Sequence, residues 1–409
     1  MSLAAEVLSA TTATAPSGWK RRRLRDVVRL VNGYPFPSED FGPDGSLPLV
    51  RIRDLMTSDF ETYVSGRVPR QAMMRDGDVV VGMDGDFNVV VWRRGPAALN
   101  QRLCLLRPRE AVDMRFIAYA LPSILKVIND LTFSTTVKHL SSGDLLNERL
   151  LVPSLDEQRR IADFLDVQTA RHDCLVAALR RELLLLKEQA EALRDGMLAS
   201  HARARRTPLM RLTDSRRPIV YGIVQAGPEV SGGVPYIKSG DLPNLNIGTL
   251  SKTAPEIHFQ YRRASVVPGD IVMAMRASIG ALAVVPPELI EANLTQGTAR
   301  IAPGRGVSGR WLYHVLQTRV VLDQFDIRAV GTTFRTLNIW DLRRISIPAI
   351  PSAEQVSTAE KLDAILLRHG DLKSRIERQM MYFEERKNAL VAAAVTGHFD
   401  VTTARGVDE

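Results

Sequence analysis

A chain of 409 residues, 45% apolar and 24% charged, is long enough for two or three domain cores and has an ordinary globular composition. Its two cysteines, Cys104 and Cys174, exclude a disulfide framework and a four-cysteine zinc site, and its seven histidines form no close His/Cys cluster. The 54 Lys and Arg residues against 46 Asp and Glu leave a net charge of +8, which admits a nucleic-acid partner but says little until the charge is located.

Residues 1–17 are rich in Ala, Thr and Ser and lack the basic start and apolar stretch of a signal peptide. No apolar run reaches the ~18–20 residues of a membrane span, so the expected compartment is the cytoplasm, with both thiols reduced. From 18 to 153 the texture is Gly, Pro and short β-branched runs. Val79–Val81 and Val89–Trp92 are predicted strands between Asp/Gly turns, followed by a helix over Met114–Ile128. Asp156–Ser200 has no Pro and one Gly. Apolar or near-apolar residues recur there at steps of mostly four and three (Ile161, Leu165, Gln168, His172, Leu175, Leu179, Leu183, Leu186, Ala190, Leu193, Met197), which predicts a long helix with a coiled-coil-like seam. Ser154 or Asp156 is its expected N-cap.

The same order returns downstream. Ile271–Met273 and Ala283–Val285 are predicted strands, Arg310–Phe325 a helix, and a second long helix starts near Ser352 as N-cap, with Leu362, Ile365, His369, Leu372, Ile376, Met380, Phe383, Leu390 and Ala394 on its seam. At ~1.5 Å per residue each long helix spans roughly 60–65 Å. The return is a repeat. Ser134 to Leu140 aligns with Gly331 to Leu337, Asp144 with Asp341, Glu157-Gln158 with Glu354-Gln355, and Arg171-His172 with Arg368-His369, all at an offset of 197. Upstream, Gly77-Asp78 aligns with Gly269-Asp270, and Gln101 to Pro108 with Gln296 to Pro303.

A helix with one apolar stripe must bury it, and each copy supplies one such helix. The fold class expected is therefore α+β: two globular heads joined by two long antiparallel helices in a coiled-coil rod, related by a pseudo-two-fold internal repeat. The boundaries are a tail at 1–17, a head at 18–153, a helical region at 154–206, a second head at 207–351, a second helix at 352–400 and a tail at 401–409. The helical stretches carry two more acids than bases, so the excess of bases lies on the heads and linkers, which makes the heads the candidate nucleic-acid surface. His172 and His369, at equivalent seam positions, are read as a polar register-setting pair in preference to a metal bridge.

Catalytic signatures are missing. There is no phosphate-binding Gly-x-x-x-x-Gly-Lys-Ser/Thr loop, no Asn-Pro-Pro-Tyr/Phe methyltransferase motif and no nucleophile–base–orienter set present in both copies. Glu385 and Lys387 have a nuclease-like spacing but lie in a charged helical stretch. Asp84 and Asp86 face Arg276 and Ser278 in the second copy, so a Gly-flanked turn is preferred to a carboxylate pair.

Several segments resemble those of type I restriction–modification specificity subunits. Pro16, Ser17, Gly18 and Trp19 with Leu24, Asp26 and Val27 are similar to the way these subunits begin. Gly33, Tyr34, Pro35 and Phe36 with Asp40 and Phe41 resemble an early segment of their first recognition domain. Leu150 to Ile161, with Pro153, Glu157 and Gln158, resembles the start of their first long helix. Ile345 to Pro348 with Glu354-Gln355 resembles the second, departing from it by two extra residues and by Val356-Ser357 in place of a basic pair.

The resemblance implies a non-catalytic, sequence-specific DNA-binding subunit. Each head would be a target-recognition domain reading one half of an asymmetric bipartite site in double-stranded DNA. The rod would set the spacer and dock two modification (methyltransferase) subunits. S-adenosylmethionine would be bound in those partners, ATP and Mg in up to two restriction subunits, and no cofactor or metal by this chain. Candidate DNA-contact residues are Thr135, Thr136, Lys138 and His139 with their counterparts Thr332, Thr333 and Arg335; Arg51 and Arg53 opposite Lys238 and Ser239, read as alternating along a strand; Arg276, Thr295 and Gln296 beside turns; and Tyr34. Gln158, Arg159 and Arg160 are candidate partner contacts on the exposed helix face, whereas Trp19 and Trp340 are assigned to structure. The competing readings are a coiled-coil scaffold whose heads bind protein and not DNA, and an undetected nuclease or methyltransferase.

Overall fold

The computed structural model describes residues 16–43, 45–57, 59–131, 138–199, 201, 203–223, 225–332 and 335–401. The chain divides into two compact units, Met1–Ala178 with Gln379–Glu409, and Leu179–Arg378. Each unit therefore holds one head and a part of both long helices.

In the first unit the order is β1 (Lys20–Arg23), β2 (Val28–Asn32), β3 (Leu47–Val50), β4 (Val79–Gly82), β5 (Val89–Val91), β6 (Ala97–Leu99), β7 (Leu103–Pro108), α1 (Met114–Leu131), α2 (Ser142–Asn147), β8 (Arg149–Val152) and α3 (Leu155–Ala199), with shorter pieces between. β2, β7, β4 and β5 form an antiparallel sheet in that spatial order, with Leu105 opposite Val31 on one side and Val80 on the other. Both faces of β4 are buried, which is why it reads as an unbroken Val run. Val79 and Val81 pack with Phe116 and Leu121 of α1, whereas Val80 packs with Trp92 and Leu99. β3 pairs parallel with β6, Leu49 opposite Ala98.

The second unit repeats this plan: β9 (Arg206–Pro208), β10 (Val234–Ile237), β11 (Ile271–Ala274), β12 (Leu282–Val284), β13 (Asn293–Leu294), β14 (Thr298–Ile301), α4 (Gly309–Val315), α5 (Arg319–Arg328), α6 (Ile339–Arg343), β15 (Ser346–Pro348) and α7 (Ser352–Thr396). β11 lies between β12 and β14, and β10 pairs parallel with β13, the counterpart of the β3–β6 pair. Ile271 and Met273 face Trp311 and Leu312, while Val272 and Ala274 face Ile237 and Leu294. The single helix expected over Arg310–Phe325 is two helices. Both the hydroxyl and the N–H of Thr318 donate to the Val315 carbonyl (2.7 and 3.1 Å), closing a turn that restarts the chain as α5.

The long helices run antiparallel within each unit. In the first, Phe164 of α3 stacks on Phe399 just beyond α7 (5.6 Å), His172 meets Phe383 edge-on (5.9 Å), and Lys387 Nζ donates to Asp173 (2.6 Å). In the second, His201 just after α3 pairs with Glu354 (2.8 Å). The predicted seam holds with two shifts. Leu175 and Leu372 are exposed; Val176, four residues beyond His172, is buried in place of Leu175, while Ile376 is buried as expected. The Nδ1 atoms of His172 and His369 are both buried without a hydrogen-bond partner. Ser154 caps α3, its hydroxyl accepting from Glu157 N–H (3.3 Å). Ser352, by contrast, is already inside α7, because the Pro351 carbonyl accepts the first helical hydrogen bond, from Gln355 N–H (3.0 Å). Trp340, assigned to structure, is largely exposed, with the Arg344 guanidinium stacked over its ring at 3.8 Å.

Each head is tied to its helix by the same parts. The buried Gln158 side chain donates to the Pro153 carbonyl and accepts from Asp113 N–H (both 3.0 Å); Gln355 donates to Ile350 and accepts from Ser308 (both 2.9 Å). Trp19 Nε1 donates to Glu157 (3.0 Å). About two helical turns on, Asp166 accepts from Arg115 (3.0 Å) and from Tyr119 Oη (2.7 Å); in the second unit Asp363 is paired with Arg310 and with His314 Nε2 (2.8 Å). His314 is 2% exposed, and burial lowers its pKa, the Asp363 hydrogen bond only partly opposing this against the adverse charges of Arg194 and Arg310. The unfolded chain then takes up a proton near pH ~6.5 while the folded chain does not, so this contribution to stability is complete above that pH and lost as pH falls. His314→Gln keeps a donor at the Nε2 position and does not titrate. Denaturant unfolding at pH 7.5 and 5.5 should show a smaller acid loss in the variant than in the wild type; equal losses would refute the assignment.

Candidate nucleic-acid interface

In the second unit, four chain segments are laid side by side by backbone hydrogen bonds just beyond the strand ends. Thr295 N–H donates to the Ile237 carbonyl (3.2 Å), which sets Thr295 and Gln296 beside Lys238 and Ser239. Met275 N–H donates to Gly297 (2.8 Å), placing Arg276 next in the row. Leu337 N–H donates to Met275 (2.9 Å), Ala277 N–H donates to Arg335 (3.3 Å) and Arg276 bridges Thr336, which adds the segment from Arg335 to Leu337. Six described candidates of this unit, Lys238, Ser239, Arg276, Thr295, Gln296 and Arg335, thus fall on one row, and Thr332 is exposed with no hydrogen bond to it among the described residues. Thr333 lies outside the described residues.

Their side chains differ in freedom. Lys238 Nζ donates to Ser251 Oγ (2.7 Å) and lies 5.3 Å from the Tyr236 ring; Arg335 holds Asp326 through its side chain (2.9 Å) and its carbonyl (2.6 Å). Arg276 is exposed and has no side-chain partner among the described residues.

The first unit builds the same row. Asn100 N–H donates to Val50 (3.1 Å), Met83 N–H to Arg102 (3.0 Å) and Leu140 N–H to Met83 (2.7 Å), while Asp84 bridges His139. Its contents are different. Arg51 and Arg53 do not alternate along a strand: β3 ends at Val50, and both lie at a 3-10 turn over Ile52–Leu55 whose N-cap is Arg51. Arg51 pairs with the buried Asp54 (3.3 Å), and Arg53 with Glu61 (3.1 Å), so both cations are neutralised locally. Lys238 and Ser239 likewise lie at the start of a 3-10 turn, Ser239–Asn244, beyond β10. Lys138 donates to the Asn129 carbonyl, and His139 Nδ1 meets Asp84 Oδ1 (2.6 Å). Tyr34 is part-exposed, edge-on to Phe36 (5.0 Å), and its N–H donates to Leu99 (2.9 Å) beside the row. Thr135 and Thr136 lie outside the described residues.

Three members of the row are not among the contacts expected from sequence: Asn100, Arg102 and Asp84, the last of which the sequence assigns to a turn. Asp84 holds Arg102 (3.2 Å) as well as His139, and Asn100 accepts from Arg102 N–H (3.3 Å). The alignment of Gln101–Pro108 with Gln296–Pro303 and of Asp84 with Arg276 was the available signal. Among the proposed partner contacts, Arg159 and Arg160 are exposed, with Arg159 near Asp156 (3.5 Å). Gln158 is not on that surface: it is 2% exposed, and its amide is spent on the head–helix joint. Among the described residues no helix is long and apolar enough to cross a membrane, and no group of three or more His, Cys, Asp or Glu is placed to hold a metal ion.

The fold and the two rows define a duplicated recognition protein: one α+β unit used twice, each presenting polar and charged side chains on turns carried by a rigid sheet. Residues 16–183 match the family described as type I restriction modification DNA specificity domain. The EcoBI specificity subunit of Escherichia coli is 29% identical over 412 residues, covering 93% of this chain and 86% of that one. The EcoKI specificity subunit of Escherichia coli K12 is 26% identical over 199 residues, 44% of this chain and 42% of that one. A solved chain from work on complex assembly and conformational transition of the type I R-M system superposes with a TM-score of 0.66 over 94% of this chain and all of that one, at 19% identity, a likeness of fold. Over residues 16–183 the chain matches that DNA specificity domain, and over nearly its whole length it is similar to a specificity subunit of a type I restriction–modification system.

Proposed function

We propose that the two heads, residues 18–153 and 207–351, are target-recognition domains that read the two halves of one asymmetric, bipartite site in double-stranded DNA. The observation that carries this reading is the pair of equivalent rows with unlike side chains. The same backbone ladder offers Lys238, Arg276 and Gln296 in one unit, and Asp84, Arg102 and His139 in the other. A repeated frame with divergent contacts suits two half-sites of different sequence, phosphate contacts giving affinity and base-edge contacts giving selectivity. The long helices, residues 154–206 and 352–400, fix the unread spacer and dock two modification subunits, with Arg159 and Arg160 among the contacts. Those subunits supply S-adenosylmethionine and the methyl transfer; up to two restriction subunits add ATP- and Mg-dependent cleavage; the assembly works in the cytoplasm.

The test is methylome sequencing of cells that express the modification partner with and without this chain. The expected result is methylation at a split motif that disappears when the chain is withheld. The same motif without the chain, or no split motif with it, would overturn the reading and favour a protein-binding scaffold.

A further inference from the structure

Asp84 and Arg276 occupy one position of the repeat. Each follows the methionine that leaves the central strand of its sheet, Met83 after β4 and Met275 after β11. Both methionines donate N–H to one neighbouring segment, at Arg102 and Gly297, and accept from the other, at Leu140 and Leu337. Both following residues form an antiparallel bridge, to His139 and to Thr336. The backbone environment is the same and the charge is opposite.

The two side chains offer opposite chemistry to a base pair. Arg276 is exposed and unpaired among the described residues, a planar donor fork suited to O6 and N7 of guanine. Asp84 is repelled by phosphate, so on a DNA-facing row its use is to accept from an exocyclic amino group, for which cytosine N4 is the fitting donor. Its two oxygens each hold one partner, His139 Nδ1 at 2.6 Å and Arg102 at 3.2 Å, and the side chain stays 15% exposed, so a remaining lone pair can be reached by a base once the exposed Arg102 or His139 gives way. Those partners also fix the carboxylate's direction before DNA arrives, which lowers the ordering cost of the contact.

We propose that this position is the base-discriminating position of each head: Arg276 reads a guanine in the half-site of the second unit, and Asp84 reads a cytosine amino group in the half-site of the first. The inference rests on the DNA-reading function given above.

The experiment uses the complex with its modification subunits and determines the methylated motif for wild type, Arg276→Ala, Arg276→Gln, Asp84→Ala and Asp84→Asn, with melting curves for each. The near-isosteric Asp84→Asn and the polar Arg276→Gln guard against loss of folding, and in every variant the untouched half-site is an internal control. The Arg276 variants should make one guanine of one half-site degenerate, and the Asp84 variants one cytosine of the other, each with a roughly 5- to 150-fold loss of preference. If the wild type shows a split motif but the variants keep every base, or lose methylation evenly across sequences, the inference is overturned and the function stands. If the wild type imposes no split motif, both fall.

Discussion

Gln158→Ala and Gln355→Ala should each lower the melting temperature by roughly 4–24 °C. Each glutamine is almost fully buried (2% and 4% exposed) at the first turn of its long helix and satisfies two backbone groups, one carbonyl before the helix and one N–H on the head. Truncation removes both partners and leaves a backbone carbonyl and a backbone N–H at the joint unpaired. At about 1–3 kcal/mol for each orphaned group, the loss is about 2–6 kcal/mol. For a unit of this size each kcal/mol moves the transition by about 2–4 °C. Gln→Glu should not rescue, because a carboxylate cannot donate to the Pro153 or Ile350 carbonyl. Calorimetry of the four single variants measures this; shifts below about 2 °C would mean that neither amide is holding a head to its helix.

The glutamines also mark where sequence reading stops. The Glu-Gln pair was legible as a repeated mark at the start of each long helix, and so was the helix itself, because a 3.6-residue period survives over forty residues without alignment or geometry. Strands such as β4 and β11 were legible for a related reason: an apolar β-branched run flanked by Asp/Gly turns has few other fates. Which side of the helix Gln158 faces was not legible. It was placed on the solvent face with Arg159 and Arg160, yet its neighbours in space, Asp113 and Pro153, are set by how the head closes over the helix start. Arg51 and Arg53 failed similarly. Alternation suggested a strand, but the Asp54 carboxylate accepts from Arg51 N–H (2.9 Å) and turns the chain into a 3-10 helix after Val50. The rows came half into view. Their members could be nominated from the repeat, but their adjacency depends on hydrogen bonds between segments distant in sequence, such as that from Leu337 to Met275 at the strand end and that from Thr295 to Ile237. Charge pairing decided the rest, since a cation is a candidate contact only if no carboxylate already holds it, and pairing is invisible in a string of letters.

Gly33→Ala and Gly222→Ala are expected to be as damaging as the glutamine changes, and to damage recognition one half-site at a time. Neither glycine has a positive φ, so the reason for glycine is close approach and not backbone handedness. A Cβ at Gly33 would lie 1.9 Å from the Asn100 carbonyl oxygen, and one at Gly222 would lie 1.8 Å from that of Leu294. Both contacts are with backbone, which cannot rotate aside, so the two segments must separate. That costs about 3 kcal/mol or more, a fall in melting temperature of roughly 6–12 °C. The separation falls on the rows. Asn100 and the segment after Leu294 are the second members of each ladder, hydrogen-bonded to Val50 and Ile237 respectively, and they carry Arg102 or Gln296 toward Asp84 or Arg276. A shift at Gly33 therefore disturbs the first unit's row and leaves the second intact, and Gly222 does the reverse. Measured in the assembled complex below its melting temperature, Gly33→Ala should relax base preference in the half-site assigned to Asp84, and Gly222→Ala in that assigned to Arg276. Variants that melt like the wild type, or that blur both half-sites together, would show that the close approach at these glycines does not set the geometry of the rows.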